Sequence, residues 1–341
     1  MGNQKAVWDR GDFSVAAVGA MCAPASFRLD DGRTIQPFAI APWSDNPEGD
    51  PRYDELPPLL KRLRGDWACI PFGMPEARPD LPSAWVGNQV DTESLREYFH
   101  GPSANLPFKL ERADGGCLEF KLDFPEDHPI AWVRRVIGGV PGKAMLEFTL
   151  EIMPRETIAL PIGVHPVFRL PDAVGAAELD VGGEAIKVYT YPVDAEPGVS
   201  KLAHGGVFES LQAARDKNGA PMDLSRHPLA VVTEEVVLVG HADGHARLTN
   251  RADRYRVDLH WEAKDFPSCN LWISNRGRTA FPWNGRHCAL GIEPVAAPWD
   301  LGVAVARNQA SPLRAAGVRT ATDFTGGVLW KTSYSIEVSS L

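Results

Sequence analysis

Apolar and polar residues alternate with a period of two through most of this chain, and that pattern confines it to β structure. In "LEFKLDF", Leu118, Phe120, Leu122 and Phe124 point one way and Glu119, Lys121 and Asp123 the other, as in a strand with one buried and one solvated face. "MLEFTLEIM" repeats the pattern with Leu146, Phe148, Leu150 and Ile152. The "GGVPGK" between it and "AWVRRVI" has the glycine and proline content of a hairpin turn. Further strands are expected at "TIALPI", "EEVVLVG", "RYRVDLHW", "NLWIS", "CALGIE" and "YSIEV", separated by loops rich in Gly, Pro, Asn and Asp. Helical spacing is confined to "DELPPLLKRLR" and "LREYF", and no strand-helix alternation points to a parallel doubly wound sheet.

The chain is therefore expected to be all-β and antiparallel. No repeat, composition shift or low-complexity linker divides residues 1–341, so a single domain is expected. Sheets of this size curl or stack face to face, and a concave sheet face suits a small ligand. A hydrophobic content of 44% supplies a sizeable core. With 44 acidic against 35 basic side chains, the net charge of −9 opposes attraction to nucleic acid or anionic membrane surfaces. The five cysteines, Cys22, Cys69, Cys117, Cys269 and Cys288, are scattered with no C-x-x-C pair and read as reduced core residues. Asp9 and Asp12 precede the small apolar run "FSVAAVGAMCAPASF", against a signal segment, and no apolar run reaches membrane-spanning length. A cytoplasmic location is expected, with a monomer and a homodimer equally open.

Three stretches carry candidate chemistry. In "HCALGIEP", alternation puts His287, Ala289, Gly291 and Glu293 on one face, so small residues leave room beside an acid expected at a strand end before Pro294. From spacing alone an exposed edge carboxylate is the better fit, because isolated Glu residues mostly lie on solvated surface. In "LPIGVHPVFRLP", His165 interrupts an apolar segment. If the strand continues through Pro166, His165, Val167 and Arg169 share a face; a hydrogen-bonded structural histidine is the competing reading. In "YFHGPSANLPF", His100 precedes a glycine in a turn-rich loop, where a surface histidine is the plain alternative.

Taken in order and rough spacing, these three stretches resemble the aldose 1-epimerase (galactose mutarotase-like) family, and its hexose-6-phosphate mutarotase-like branch in particular. "ASFRLDDGRTIQPFAIAPW" is similar to that family's first hairpin, so the resemblance runs nearly the full length. It implies an antiparallel β-supersandwich with two histidines and a glutamate lining a sugar pocket, and no metal or organic cofactor. Carried over by motif, Glu293 is the base that takes the proton of the anomeric hydroxyl, His165 the acid that protonates the ring oxygen, and His100 a hydrogen-bonding partner there.

The resemblance has gaps. Asn105 stands after the "HG" where the family commonly has an arginine nearby, and Val167 replaces the more usual aromatic beside Phe168, which is kept as a stacking surface. Trp272 shares a face with Asn270 and Ser274 and is a candidate sugar platform, or a core residue. Arg64, Arg169, Arg276 and Arg278 could hold an anionic substituent through forked hydrogen bonds, with Arg64 and Arg169 preferred because they adjoin apolar segments. Asp258 shares its face with Arg254, Arg256 and His260 and reads as solvated, and His241 and His245 lie in a glycine-rich turn with no third ligand nearby. The expected activity is mutarotation of an aldose, with anionic sugars (phosphorylated, sulfonated or uronic) among the expected substrates. The alternatives are a noncatalytic sugar-binding protein and a glycan lyase or hydrolase on the same fold; hydrolysis calls for two carboxylates facing the bond, and only one convincing acid is present.

Overall fold

A computed structural model of the chain describes residues 3–87, 95 and 98–341. The expected strands form and pair antiparallel. Cys117–Asp123 buries Leu118, Phe120 and Leu122 and pairs with Ile130–Gly139, which pairs in turn with Met145–Pro154 across the "GGVPGK" turn. The hairpin expected at the start of the chain is Met21–Arg28 with Thr34–Ile35.

Two large sheets are stacked. A nine-stranded sheet includes the three strands above together with Trp330–Ser340, Tyr255–Trp261, His245–Asn250 and Ala177–Val181. An eight-stranded sheet is centred on Thr233–Gly240, Ser268–Asn275 and Cys288–Ala296. Alternation explains what lies between them: Val237, Val239, Leu271, Ile273, Leu290 and Ile292 from one sheet meet Leu146, Phe148, Leu150, Val257, Leu259 and Ile336 from the other in one core.

The opposite face of the eight-stranded sheet is not left to solvent. Val236, Leu238, Trp272 and Ala289 pack there under loops and short helices that bring Trp43, Leu59, Leu63, Trp67, Trp283 and Trp299. The candidate site lies in this second, smaller core. "DELPPLLKRLR" contributes to it as the helix Pro58–Arg62 rather than one longer helix, because Pro57 and Pro58 disfavour helical backbone before them. Of the second expected helix, "LREYF", Arg96 and Glu97 lie outside the described residues.

One charged cluster crosses the main core. Arg135 alternates inward with Val133 and Ile137, where its guanidinium meets the Asp66 carboxylate. Arg135 also donates to Tyr334 Oη at 2.8 Å and to Ala20 O at 2.8 Å, and Tyr334 donates to Asp66 Oδ2 at 2.7 Å. Asp66 precedes Trp67, so this cluster fixes the segment that backs the site. Among the described residues the five cysteines are free thiols, and no helix is long and apolar enough to cross a membrane.

Candidate active site

Glu293 occupies the middle of its strand rather than the end, because Cys288–Ala296 runs through Pro294. The missing N–H is tolerated for a positional reason. Ile292 N donates to Pro166 O at 3.0 Å, so by alternation the nitrogen of Pro294 points to the same side. There the neighbour changes from Val167–Arg169 to Ile162–Val164, and the ladder has a break. Glu293 is thus held on a rigid central strand. Gly291 gives it space: a Cβ at that position would lie 2.4 Å from Glu293 Oε1.

The expected continuation of a strand through Pro166 does not form. The chain breaks between Ile162–Val164 and Val167–Arg169, and His165 sits in the break. Its backbone N–H donates to Trp67 O at 2.8 Å, and its ring stacks on the Trp67 indole with centroids 4.2 Å apart. Trp272 meets the ring edge-on at 5.7 Å. This aromatic clamp holds Nε2 of His165 3.1 Å from Glu293 Oε1.

His100 reaches the same space from a loop whose geometry accounts for the "HG" pair. Its own φ is +62°, and Gly101 follows at +72° with the Ile70 carbonyl 1.9 Å from where a Cβ would stand. Only glycine fits there. Gly73 N–H donates to His100 Nδ1 at 3.0 Å, so that nitrogen carries the lone pair and the proton resides on Nε2. The His100 and His165 rings lie edge to face with centroids 5.2 Å apart.

These groups face a cavity walled largely by rings and leucines, with few polar groups among them, the kind of lining usual for small-molecule sites. Glu293 is the carboxylate that lines it among the described residues. Burial raises the Glu293 carboxyl to about 8, against the opposing Asn270 hydrogen bond, and burial lowers His165 to about 3. His100 is held well below the usual imidazole value by burial and by His165. Low polarity thus favours the neutral form of each group. Glu293 Oε1 and His165 Nδ1 are buried with no hydrogen-bond partner, so the pair faces the cavity with polar capacity unused.

Of the residues expected to bind substrate, Trp272 lines the cavity and four others do not. Arg64 is buried beside it, with its guanidinium held by Ser44 Oγ at 2.6 Å and by the Asp45 carboxylate. Phe168 alternates to the other side of its strand and stacks on Phe38 in the main core, which removes it as a sugar platform. Arg169 points to a separate cleft, pairing with Asp253 at 2.9 Å and donating to Gln36 O at 2.7 Å. The Asn105 amide is fully engaged, accepting from Leu59 N at 3.2 Å and donating to Phe99 O and Gly101 O at 2.7 and 2.9 Å. It braces the His100 loop.

Asn270 takes up a role the sequence did not assign to it, and Arg278, one of the four candidate arginines but not a preferred one, is the one of them that lines the cavity. Asn270 lies opposite Glu293 in the strand register and donates to Oε2 at 2.9 Å, while Tyr191 Oη donates to Asn270 Oδ1 at 3.0 Å. Alternation and pairing of neighbouring strands would have found it. Arg278 enters the cavity from a loop, stacked on Trp283 at 4.6 Å, with Nε 3.0 Å from Glu196 and Nη1 3.3 Å from Glu234. Glu234 is itself buried and accepts from Trp272 Nε1 at 2.6 Å and Ser274 Oγ at 3.1 Å.

No protein-family model matches the sequence, and no curated protein matches it. Solved structures do. An aldose epimerase homologue from C. elegans superposes with a TM-score of 0.62 at 12% identity, covering 100% of this chain and 99% of its own. A galactose mutarotase related enzyme from Lactobacillus acidophilus gives 0.60 at 13% identity over 99% and 98% of the two chains. A galactose mutarotase-like protein from Lactobacillus casei gives 0.58 at 11% identity over 99% and 100%. Likeness at this identity speaks for the fold and does not single out a branch: this chain folds as a galactose mutarotase-like antiparallel β-sandwich.

Proposed function

We propose that the protein is an aldose 1-epimerase that interconverts the α and β anomers of a neutral aldose without a metal or organic cofactor. The observation that carries this reading is the 3.1 Å approach of His165 Nε2 to Glu293 Oε1 at the wall of an aromatic cavity. Mutarotation acts on two oxygens, O1 and the ring oxygen O5, that are both bonded to C1. The base for one and the acid for the other must therefore stand side by side, as these two groups do.

Glu293 takes the proton of the O1 hydroxyl, and its electron pair forms the aldehyde C=O as the C1–O5 bond breaks. O5 receives the proton of His165 Nε2, and the Nε2–H of His100 hydrogen-bonds the same region. The aldehyde turns about C1–C2, O5 attacks its other face, and the two protons return to O1 and His165. Each positioned proton transfer contributes about 10²–10⁴-fold. The neutral pair, carboxylic acid and imidazole, holds the same number of protons as carboxylate and imidazolium; Oε1 and Nε2 are 3.1 Å apart but not hydrogen-bonded as they stand, so the carboxyl turns its proton toward Nε2 to prepare the reactive form. Trp272 offers a face for the sugar ring.

Charge favours a neutral substrate. Arg64 and Arg169 lie outside the cavity, and Arg278, its one guanidinium among the described residues, is already shared by Glu196 and Glu234. An anionic substituent would have to displace a carboxylate. Polarimetry of freshly dissolved α-D-glucose and α-D-galactose tests the activity: wild type accelerates the decay to equilibrium on at least one sugar, and Glu293→Gln removes the acceleration. A noncatalytic sugar-binding role predicts tight binding with no acceleration, and binding kept in Glu293→Gln.

A further inference from the structure

The outer face of the nine-stranded sheet carries a cluster unconnected with the cavity. His245 stands directly across from His260 in the antiparallel register. One step along, Trp261 N donates to Gly244 O at 2.8 Å, while His245 O accepts from Gly182 N on its other side at 2.9 Å. The two histidines are therefore a non-hydrogen-bonded pair, the kind whose side chains approach most closely. Their rings stack with centroids 4.6 Å apart and planes 18° apart.

Asp258 lies two residues before His260 and so on the same face. The sequence reads it as solvated, but it is 9% exposed, with Oδ1 2.9 Å from His245 Nε2. One ligand atom from each of His245, Asp258 and His260 falls within 4.8 Å of the others. His245 thus has the nearby ligands that its own turn lacks, because they come from the next strand. Glu337 stands opposite Asp258 on the third strand and places another carboxylate alongside.

We propose that His245, Asp258 and His260 bind one divalent transition-metal ion, clamping His245–Asn250 to Tyr255–Trp261. Two imidazoles and a carboxylate suit Zn²⁺, Ni²⁺ or Cu²⁺ rather than the oxygen-seeking Ca²⁺ and Mg²⁺. Arg247 is the competitor: its Nε donates to the same Asp258 oxygen at 2.7 Å. An incoming ion shares or displaces that contact, so binding is weaker than in a closed structural zinc site. The two imidazoles must also turn out of their stack, since lone pairs of parallel rings do not converge on one point.

The test is calorimetric titration of the untagged full chain with ZnCl₂, repeated with CoCl₂ while following visible absorption. The expected result is one saturable site per chain, weakened roughly tenfold or more in His260→Ala and in Asp258→Asn and tightened in Arg247→Gln. All variants are compared at matched thermal midpoints without metal. No saturable binding, or equal affinity in His260→Ala or Asp258→Asn, overturns the proposal. Neither result bears on the aldose reading.

Discussion

Asn270 stands opposite Glu293 on adjacent strands and donates its amide N–H to Oε2 at 2.9 Å, which leaves Oε1 as the oxygen that faces His165. The amide does two things: it orients the carboxylate, and it opposes the rise in the Glu293 pKa that burial causes.

Replacing Asn270 by Ala removes both effects and leaves the Tyr191 hydroxyl without its acceptor. The expected result is a fall in kcat for mutarotation of about 10–100-fold at neutral pH, the scale on which partners of reactive groups act, with KM changed less. Steady-state polarimetry separates the two. A KM effect alone would show that Asn270 holds the sugar rather than the acid.

Gly291→Ala places a methyl group 2.4 Å from the present position of Glu293 Oε1. The carboxylate is the flexible end of its side chain, so it moves rather than the strand. Activity is expected to fall about 100-fold, since a displacement of about 1 Å costs that much. The thermal midpoint should shift by only a few degrees. Unfolding of the variant would instead mean that the strand cannot yield.

The pH dependence follows from the pair. Between about 3 and about 8 it holds one mobile proton, so activity should fall as pH rises through about 8, with apparent values that belong to the pair. Stability has a matching sign. Glu293 titrates at 4.5 when unfolded and at about 8 when folded; its contribution is complete below 4.5 and is lost as pH rises through 8. Glu293→Gln has no such proton to lose. Urea unfolding from about pH 5 to about pH 9 should show the variant gaining on wild type as pH increases, and parallel curves would refute the buried, protonated acid.

Arg135→Met leaves Asp66 buried opposite an apolar side chain. Removal of one partner of a buried ion pair costs about 3–5 kcal/mol, measurable as a lower denaturation midpoint. Adding Asp66→Asn should recover part of the loss, because the stranded charge is gone; a further loss would mean that the pair acts through packing.

How much was legible in the sequence depended on whether a residue's partner lay on its own strand. Period two identified the strands, the inward rows and the shared face of Gly291 and Glu293. It misplaced Glu293 at a strand end, because Pro294 is accommodated only by a change of neighbouring strand. Phe168 and Arg169 lie outside the cavity for different reasons: Phe168 alternates with Val167 and so faces the main core, while Arg169 shares Val167's side but lies farther along the strand, at a separate cleft where Asp253 and Gln36 hold it. Arg64 adjoins apolar segments as expected, yet what occupies it is Ser44 and Asp45, brought close by a turn. Which of the candidate arginines reaches the cavity, and the grouping of His245, Asp258 and His260, depend on loop path and strand register, which no local pattern encodes.

The most direct test of the central claim is proton NMR magnetisation transfer between the α and β anomers of neutral, phosphorylated, sulfonated and uronic aldoses, with wild type, Glu293→Gln and His165→Ala. The account predicts accelerated exchange on a neutral aldose, abolished in both variants, and little or none on the anionic sugars. Exchange that persists in Glu293→Gln, or no acceleration of any neutral aldose, would contradict it.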